Sequence, residues 1–144
     1  LSDLYLLCAE ALNESEGPGT EVNKYIDLVR ARAGLPTVAT SWTNFSTNPV
    51  KYQNKDGMRA IIHQERLIEL SFESQRLWDL RRWKESATEL NKQILGWDLS
   101  QTEPISYYRT TVVYNQSFGS KDYFWPIDEN YIVNNRNLAQ NLGW

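Results

Sequence analysis

The sequence predicts a mainly α chain: a helical hairpin packed against one long helix, with irregular loops and little β-structure. Three observations predict it. Apolar residues recur at helical spacing through the first 33 positions, with one break at Gly17-Pro18-Gly19. A second helical run covers residues 58–83, uninterrupted by Gly or Pro. Only one short stretch, residues 107–114, reads as extended.

Leu1, Leu4, Tyr5, Cys8, Ala11 and Leu12 place an amphipathic helix over residues 3–14. Gly17-Pro18-Gly19 ends it, and Thr20 is the expected N-cap of the next helix. Val22, Tyr25, Ile26, Val29 and Ala33 form the second buried stripe, and Gly34 followed by Pro36 is a strong stop. Two such helices joined by a tight turn make an αα-hairpin. The small Ala9 and Ala11 permit the close approach found in tetratricopeptide-type repeats.

Residues 37–56 are rich in Ser, Thr and Asn, contain Pro49, and read as a long loop, which in a compact domain is functional or mobile. The long helix 58–83 rests on Ile61, Ile62, Leu67, Ile68, Leu70, Phe72, Leu77, Trp78 and Leu80, with room for a bend near Ser74-Gln75. Residues 84–91 continue as a short helix. Thr102-Glu103-Pro104 then opens a loop before the extended segment. Pro126 forbids helix just before it, within the apolar knot Phe124-Trp125-Pro126-Ile127. Asp128 or Glu129 caps one turn through Tyr131, Ile132 and Val133, and the Asn-rich end is expected to hold turns by side-chain to backbone bonds.

Composition excludes several functions. With 144 residues the chain suits one ordinary domain. Its 15 basic and 18 acidic side chains leave a net charge of −3, without the basic footprint of a nucleic-acid binder. One Cys and one His make neither a disulfide nor a Cys/His metal centre, so no metal or cofactor is expected. No apolar run approaches the ~20 residues that a transmembrane helix needs. Leu6-Leu7-Cys8 has the look of a lipidation signal, but Leu7 stands where a small residue is required and Asp3 lies close behind. Cys8 therefore reads as a small buried hydrophobe.

No credible catalytic set is present. Arg66, Glu69, Glu73 and Arg76 are spaced 3, 4 and 3 apart on one helical face, with Asp79 and Arg82 continuing the series. Glu69 and Glu73 would be the carboxylate pair of a glycosidase. With an Arg at each end both are expected to stay ionised, which favours a structural ladder over acid–base work. Glu73-Ser74-Gln75-Arg76 matches the Glu-x-x-Arg of cytochromes P450, but no Cys follows to ligate haem. His63 has no partner nucleophile at useful spacing.

The aromatics are the positive sign: six Trp and eight Tyr exceed what a small core needs. Phe72, Trp78, Trp83 and Trp125 sit among apolar residues and read as core. Trp42, Phe45 and Tyr52, and Trp97, Tyr107 and Tyr108, lie in polar loops, where ring faces could stack on sugars while nearby amides and carboxylates bind hydroxyls. The competing expectation for each is that it folds back onto the helices.

Four segments in order resemble the SusD/RagB family over nearly the whole chain. They are residues 5–14 with 26–36, the run Glu65-Arg66-Leu67-Ile68-Glu69-Leu70-Ser71-Phe72-Glu73-Ser74-Gln75-Arg76-Leu77-Trp78-Asp79-Leu80-Arg81-Arg82-Trp83, Phe124-Trp125-Pro126-Ile127, and Asn137-Leu138-Ala139-Gln140-Asn141-Leu142-Gly143-Trp144. Ser74 stands where the family usually has Gly. The resemblance implies a tetratricopeptide-like, SusD-like fold, of which residues 1–144 are the C-terminal portion, a single domain or a fragment of a larger one. It also implies a lipid-anchored outer-membrane protein that binds oligosaccharide or another nutrient for a SusC-like TonB-dependent transporter and does no chemistry. The N-terminal lipid anchor would lie outside this chain. The rival reading is an interaction module that touches the transporter or the rest of its own chain and no ligand.

Overall fold

The apolar stripes of the first 33 residues fold as α1 (Ser2–Glu16) and α2 (Thr20–Arg32), in a chain that is 56% helix and 8% strand. The computed structural model describes residues 1–144 as two units, Leu1–Arg76 and Leu77–Trp144. In the first, Leu6 and Ala9 of α1 meet Val22, Ile26 and Val29 of α2. Met58, Ile61 and Ile62 of α4 (Lys55–Glu69) complete a core in which none of these residues is more than 3% exposed. Gly34, at φ +72, ends α2: its N–H donates to the Ala31 carbonyl and the Leu35 N–H to the Arg30 carbonyl. That pair of bonds requires a left-handed residue. Gly19, not Thr20, holds the N-cap position, and Thr20 is the first helical residue. Cys8 is half-buried, because its helix face is only partly covered by α2.

The expected loop 37–56 is partly helical, as α3 (Val38–Phe45) and a 3₁₀ turn (Lys51–Gln53). Val38, Trp42 and Phe45 fall at i, i+4 and i+7, a helical period hidden by the Ser and Thr around it. Thr37 caps α3, its Oγ1 accepting the Thr40 N–H at 3.2 Å. The Val38 N–H donates to Asp27 of α2 at 2.8 Å. Asn54 caps α4 by accepting the Gly57 N–H at 2.7 Å. At Gly57 a Cβ would lie 2.0 Å from the Lys51 carbonyl oxygen, so this close approach admits only glycine.

The predicted long helix is interrupted. α4 ends at Glu69 and α5 (Gln75–Arg82) begins six residues later. The Ser71 hydroxyl donates to the Leu67 carbonyl at 2.6 Å, and Phe72 and Ser74 adopt φ +66 and +63. A hydroxyl that competes with the backbone ladder and two left-handed residues together end the helix. Phe72, expected in the core, is wholly exposed on this turn.

The second unit contains the C-terminal turns of α5, then α6 (Ser86–Glu89), β1 (Gln93–Trp97), α7 (Pro104–Tyr107), β2 (Thr110–Asn115), a 3₁₀ turn (Ser120–Tyr123) and α8 (Glu129–Asn134). Strands β1 and β2 pair antiparallel from Gln93↔Asn115 to Trp97↔Thr110, with an irregularity between Ile94 and Leu95 that leaves Val113 as the extra residue. Tyr107, expected in the extended segment, belongs to the α7 turn that Pro104 starts. Asp128 caps α8, its carboxylate accepting the Asn130 N–H at 2.9 Å. The C-terminal run folds onto the apolar knot: Gln140 both donates to and accepts from Ile127 at 2.9 Å, and Asn141 donates to the Trp125 carbonyl at 2.6 Å. Trp78 and Trp125, expected in the core, are 54% and 68% exposed with the Arg81 guanidinium beside both rings, and Trp83 is half-buried with Arg82 over its ring.

Candidate functional site

Trp97 ends β1, and Tyr107 and Tyr108 close the α7 turn that leads into β2. The Asp98 N–H donates to the Tyr107 carbonyl at 3.0 Å, which draws the two chain segments together. The three rings consequently touch. Trp97 and Tyr108 lie 5.0 Å apart at 82°, Tyr107 and Tyr108 5.1 Å apart at 81°, and Trp97 and Tyr107 6.1 Å apart. The first two are favourable edge-to-face arrangements, and the third is tilted at 50°. Trp97 and Tyr108 remain 56% and 60% exposed, so the cluster is held by its own contacts while its outer faces meet solvent.

Beside the rings, Asp98 accepts the Ser100 hydroxyl at 2.5 Å and the Arg109 Nη2 at 3.0 Å. The Ser100 hydroxyl chiefly, and Arg109 after it, hold the Asp98 carboxyl below the usual carboxylate range. Asp98 is therefore an ionised acceptor at neutral pH, next to the donors of a largely exposed Arg109. Apolar ring faces flanked by charged hydrogen-bonding groups suit a ligand that is amphipathic by face, as a sugar ring is.

Of the other aromatics named from sequence, Trp42 and Tyr52 lean against the first unit's core, and the Lys51 ammonium covers the Trp42 ring at 4.7 Å. Gln53 and Thr43 donate to the Tyr52 hydroxyl and lower its pKa from the ordinary phenol value. Phe45 is 80% exposed at the end of α3. The structure thus brings Trp97, Tyr107 and Tyr108 together, whereas Trp42, Phe45 and Tyr52 belong to the other unit.

The charged series does not share one helical face. Arg66 is 2% exposed, its Nη2 lying 2.8 Å from Asp3, so it pins the start of α1. Glu69 pairs with Arg32 of α2, and Glu73 lies in the turn after α4. Arg76 lies in the first turn of α5, where Arg82 donates to the buried Asp79 at 2.9 Å. Sequence reasoning missed Arg30, which donates to the Pro36 carbonyl at 2.8 Å, to the Ser41 hydroxyl at 2.7 Å and to Glu65. It also missed a cleft of about 500 Å³ beside Arg81 and Trp125. The adjacent Phe124 and Trp125 were its only local signal.

No three His, Cys, Asp or Glu side chains gather as a metal site would require, and no helix is long and apolar enough to cross a membrane. Two curated relatives come from Formosa agariphila. SusD-like protein P2 is 29% identical over 140 residues, 97% of this chain and 24% of that protein. SusD-like protein P38 is 32% identical over 143 residues, 98% of this chain and 23% of that one. Among solved structures, a SusD-like protein of Bacteroides fragilis is 28% identical with TM-score 0.75, over 99% of this chain and 25% of its own. A SusD-like carbohydrate binding protein of the same species is 27% identical with TM-score 0.71, over 96% and 27%. The chain spans about a quarter of the length of these relatives. The family model described as SusD family matches residues 1–144 throughout, and this chain belongs to that family.

Proposed function

We propose that residues 1–144 are the C-terminal portion of a cell-surface protein that captures oligosaccharide without chemistry and passes it to a SusC-like TonB-dependent transporter in the outer membrane. A lipid anchor on another part of the polypeptide would hold it there. Family membership supports this reading, as does a relative described as carbohydrate binding. The observation that carries it is the exposed three-ring cluster of Trp97, Tyr107 and Tyr108 beside Asp98 and Arg109. The rings offer stacking faces to the axial C–H groups of a sugar, and the charged pair offers both an acceptor and donors to its hydroxyls.

Calorimetric titration of the full-length protein with neutral oligosaccharides tests the reading. Trp97→Ala and Tyr108→Ala are each expected to raise Kd roughly tenfold, about 1.4 kcal/mol. Absence of binding to any glycan, or unchanged affinity in both variants, refutes it.

A further inference from the structure

We infer that the ring cluster of Trp97, Tyr107 and Tyr108 selects acidic sugars, those bearing a carboxylate or a sulfate, through the guanidinium of Arg109. The inference rests on sugar capture at these rings and names the class of sugar captured.

The two charged groups beside the rings are not equivalent. The Asp98 carboxylate accepts the Ser100 hydroxyl at 2.5 Å, the Ser100 N–H at 3.3 Å and the Arg109 Nη2 at 3.0 Å. A carboxylate has about four acceptor positions, so Asp98 keeps about one for a ligand. Its side chain is 15% exposed and that of Arg109 is 66% exposed. The acid is covered and the cation is open. All of these contacts lie within residues 97–109, a loop closed by the Asp98 N–H on the Tyr107 carbonyl, and so belong to the unit Leu77–Trp144 alone.

The balance of donors and acceptors then selects the ligand. A guanidinium carries donors and no acceptor, and Asp98 engages only its Nη2. The Trp97 indole N–H is likewise a donor only, while the hydroxyls of Tyr107 and Tyr108 serve either way. The surface beside the rings is rich in donors and poor in acceptors. A sugar hydroxyl brings a hydrogen that needs an acceptor, which Asp98 scarcely supplies. A carboxylate or sulfate brings acceptors alone, and a guanidinium takes two of them in a planar fork.

Asp98 also prepares that fork. A long exposed side chain loses rotamer freedom on binding a ligand, and tying Nη2 beforehand removes part of that loss. Net charge does not drive the selection: residues 97–109 hold two acids, Asp98 and Glu103, against the one base Arg109. Contact geometry decides, and it distinguishes Arg from Lys.

Calorimetric titration of the full-length protein tests this with matched pairs of oligosaccharides. Oligomers of galacturonate, glucuronate and mannuronate are each compared with their methyl esters, and sulfated galactan and fucan oligosaccharides with their desulfated parents. In at least one pair the acidic member is expected to bind about tenfold more tightly than its neutral counterpart. Preference confined to the uronates assigns the carboxylate, and preference confined to the sulfated pairs assigns the sulfate. Arg109→Gln is expected to bring the acidic-to-neutral ratio to about one, and Arg109→Lys, which keeps the charge without the fork, to leave a ratio of about two or three. Neutral sugars bound as tightly as their acidic partners in every pair overturn the inference and leave sugar capture standing. A ratio that survives in Arg109→Gln overturns it as well. Absence of binding to any glycan, acidic or neutral, removes sugar capture itself and this inference with it.

Discussion

Arg59 grips Glu14 through both carboxylate oxygens, Nε to Oε1 at 2.6 Å and Nη2 to Oε2 at 2.7 Å, joining the C-terminal turn of α1 to α4. The Lys55 ammonium adds a bond to the Glu14 carbonyl at 2.5 Å, which satisfies one of the acceptors that every helix end leaves open. The geometry is the bidentate fork that guanidinium forms best.

This pairing makes acid stability depend on Glu14. The hydrogen bonds from Arg59, chiefly, hold its carboxyl below the ordinary value near 4.5. A carboxyl depressed in the folded state contributes stability that is complete above its unfolded value and is lost as pH falls through the folded one. Both side chains are over a third exposed, so the contribution is modest and screened by salt, roughly 0.5–1 kcal/mol. Urea unfolding from pH 6 to pH 3 is expected to show a flatter acid limb in Glu14→Gln than in the wild type. Equal slopes below pH 4.5 would contradict the assignment.

Gly57 sits where the Lys51 carbonyl would lie 2.0 Å from any Cβ. The obstacle is backbone, not a side chain that can rotate away. Gly57→Ala is normally stabilising inside a helix, by about 0.5–1 kcal/mol. Here the turn at Lys51–Gln53 must shift, at an expected net cost of ~1–3 kcal/mol. Thermal unfolding reads the sign directly, and an unchanged or raised midpoint would refute the close approach.

Ser74 holds φ +63, a conformation that costs most residues about 1–2 kcal/mol. Replacing it by glycine removes that cost and adds about 0.5–1 kcal/mol of backbone entropy lost on folding. Ser74→Gly is therefore expected to stabilise by roughly 0.5 kcal/mol. Ser74→Val, branched at Cβ, is expected to destabilise. Melting temperatures in the order Gly, Ser, Val would support the left-handed turn, and Val above Ser would contradict it.

The residues themselves explain which features could be read in advance. The α1–α2 hairpin was legible because Leu6, Ala9, Val22, Ile26 and Val29 follow a helical period, and Gly34 obeys a local stop rule. Helix α3 was hidden because its period is carried by three residues, Val38, Trp42 and Phe45, among polar neighbours. The break after Glu69 was legible only at its far end, where a bend near Ser74-Gln75 was allowed and Ser74 has φ +63: Leu70, Ser71, Phe72 and Glu73 are tolerated in helices, and only backbone angles set by the fold place the start of the turn. Hydrophobicity placed Trp78 and Trp125 in a core, but burial depends on what lies opposite, which a single sequence does not display. The members of the ring cluster were visible as aromatics in polar stretches. Their meeting depends on β1–β2 pairing across residues 93–115, a relation no local pattern encodes.

Arg30 is the most informative residue that spacing could not reveal, because two of its partners lie 11 and 35 residues away. It reaches the Pro36 carbonyl, the Ser41 hydroxyl and Glu65, so one guanidinium ties α2 to the loop after it, to α3 and to α4. Its side chain and that of Glu65 are only 11% and 14% exposed. Removing one member of a largely desolvated pair strands the other charge and leaves a carbonyl and a hydroxyl without their donor, at an expected cost of ~2–4 kcal/mol. Arg30→Met keeps most of the aliphatic bulk and isolates that electrostatic loss from a packing loss. The double variant Arg30→Met with Glu65→Leu no longer strands a charge, and is expected to recover at least half of the deficit of Arg30→Met alone. Urea midpoints of the four proteins form a double-mutant cycle. Additive losses would show that the two side chains act independently, and the bridge between α2 and α4 would have to be abandoned.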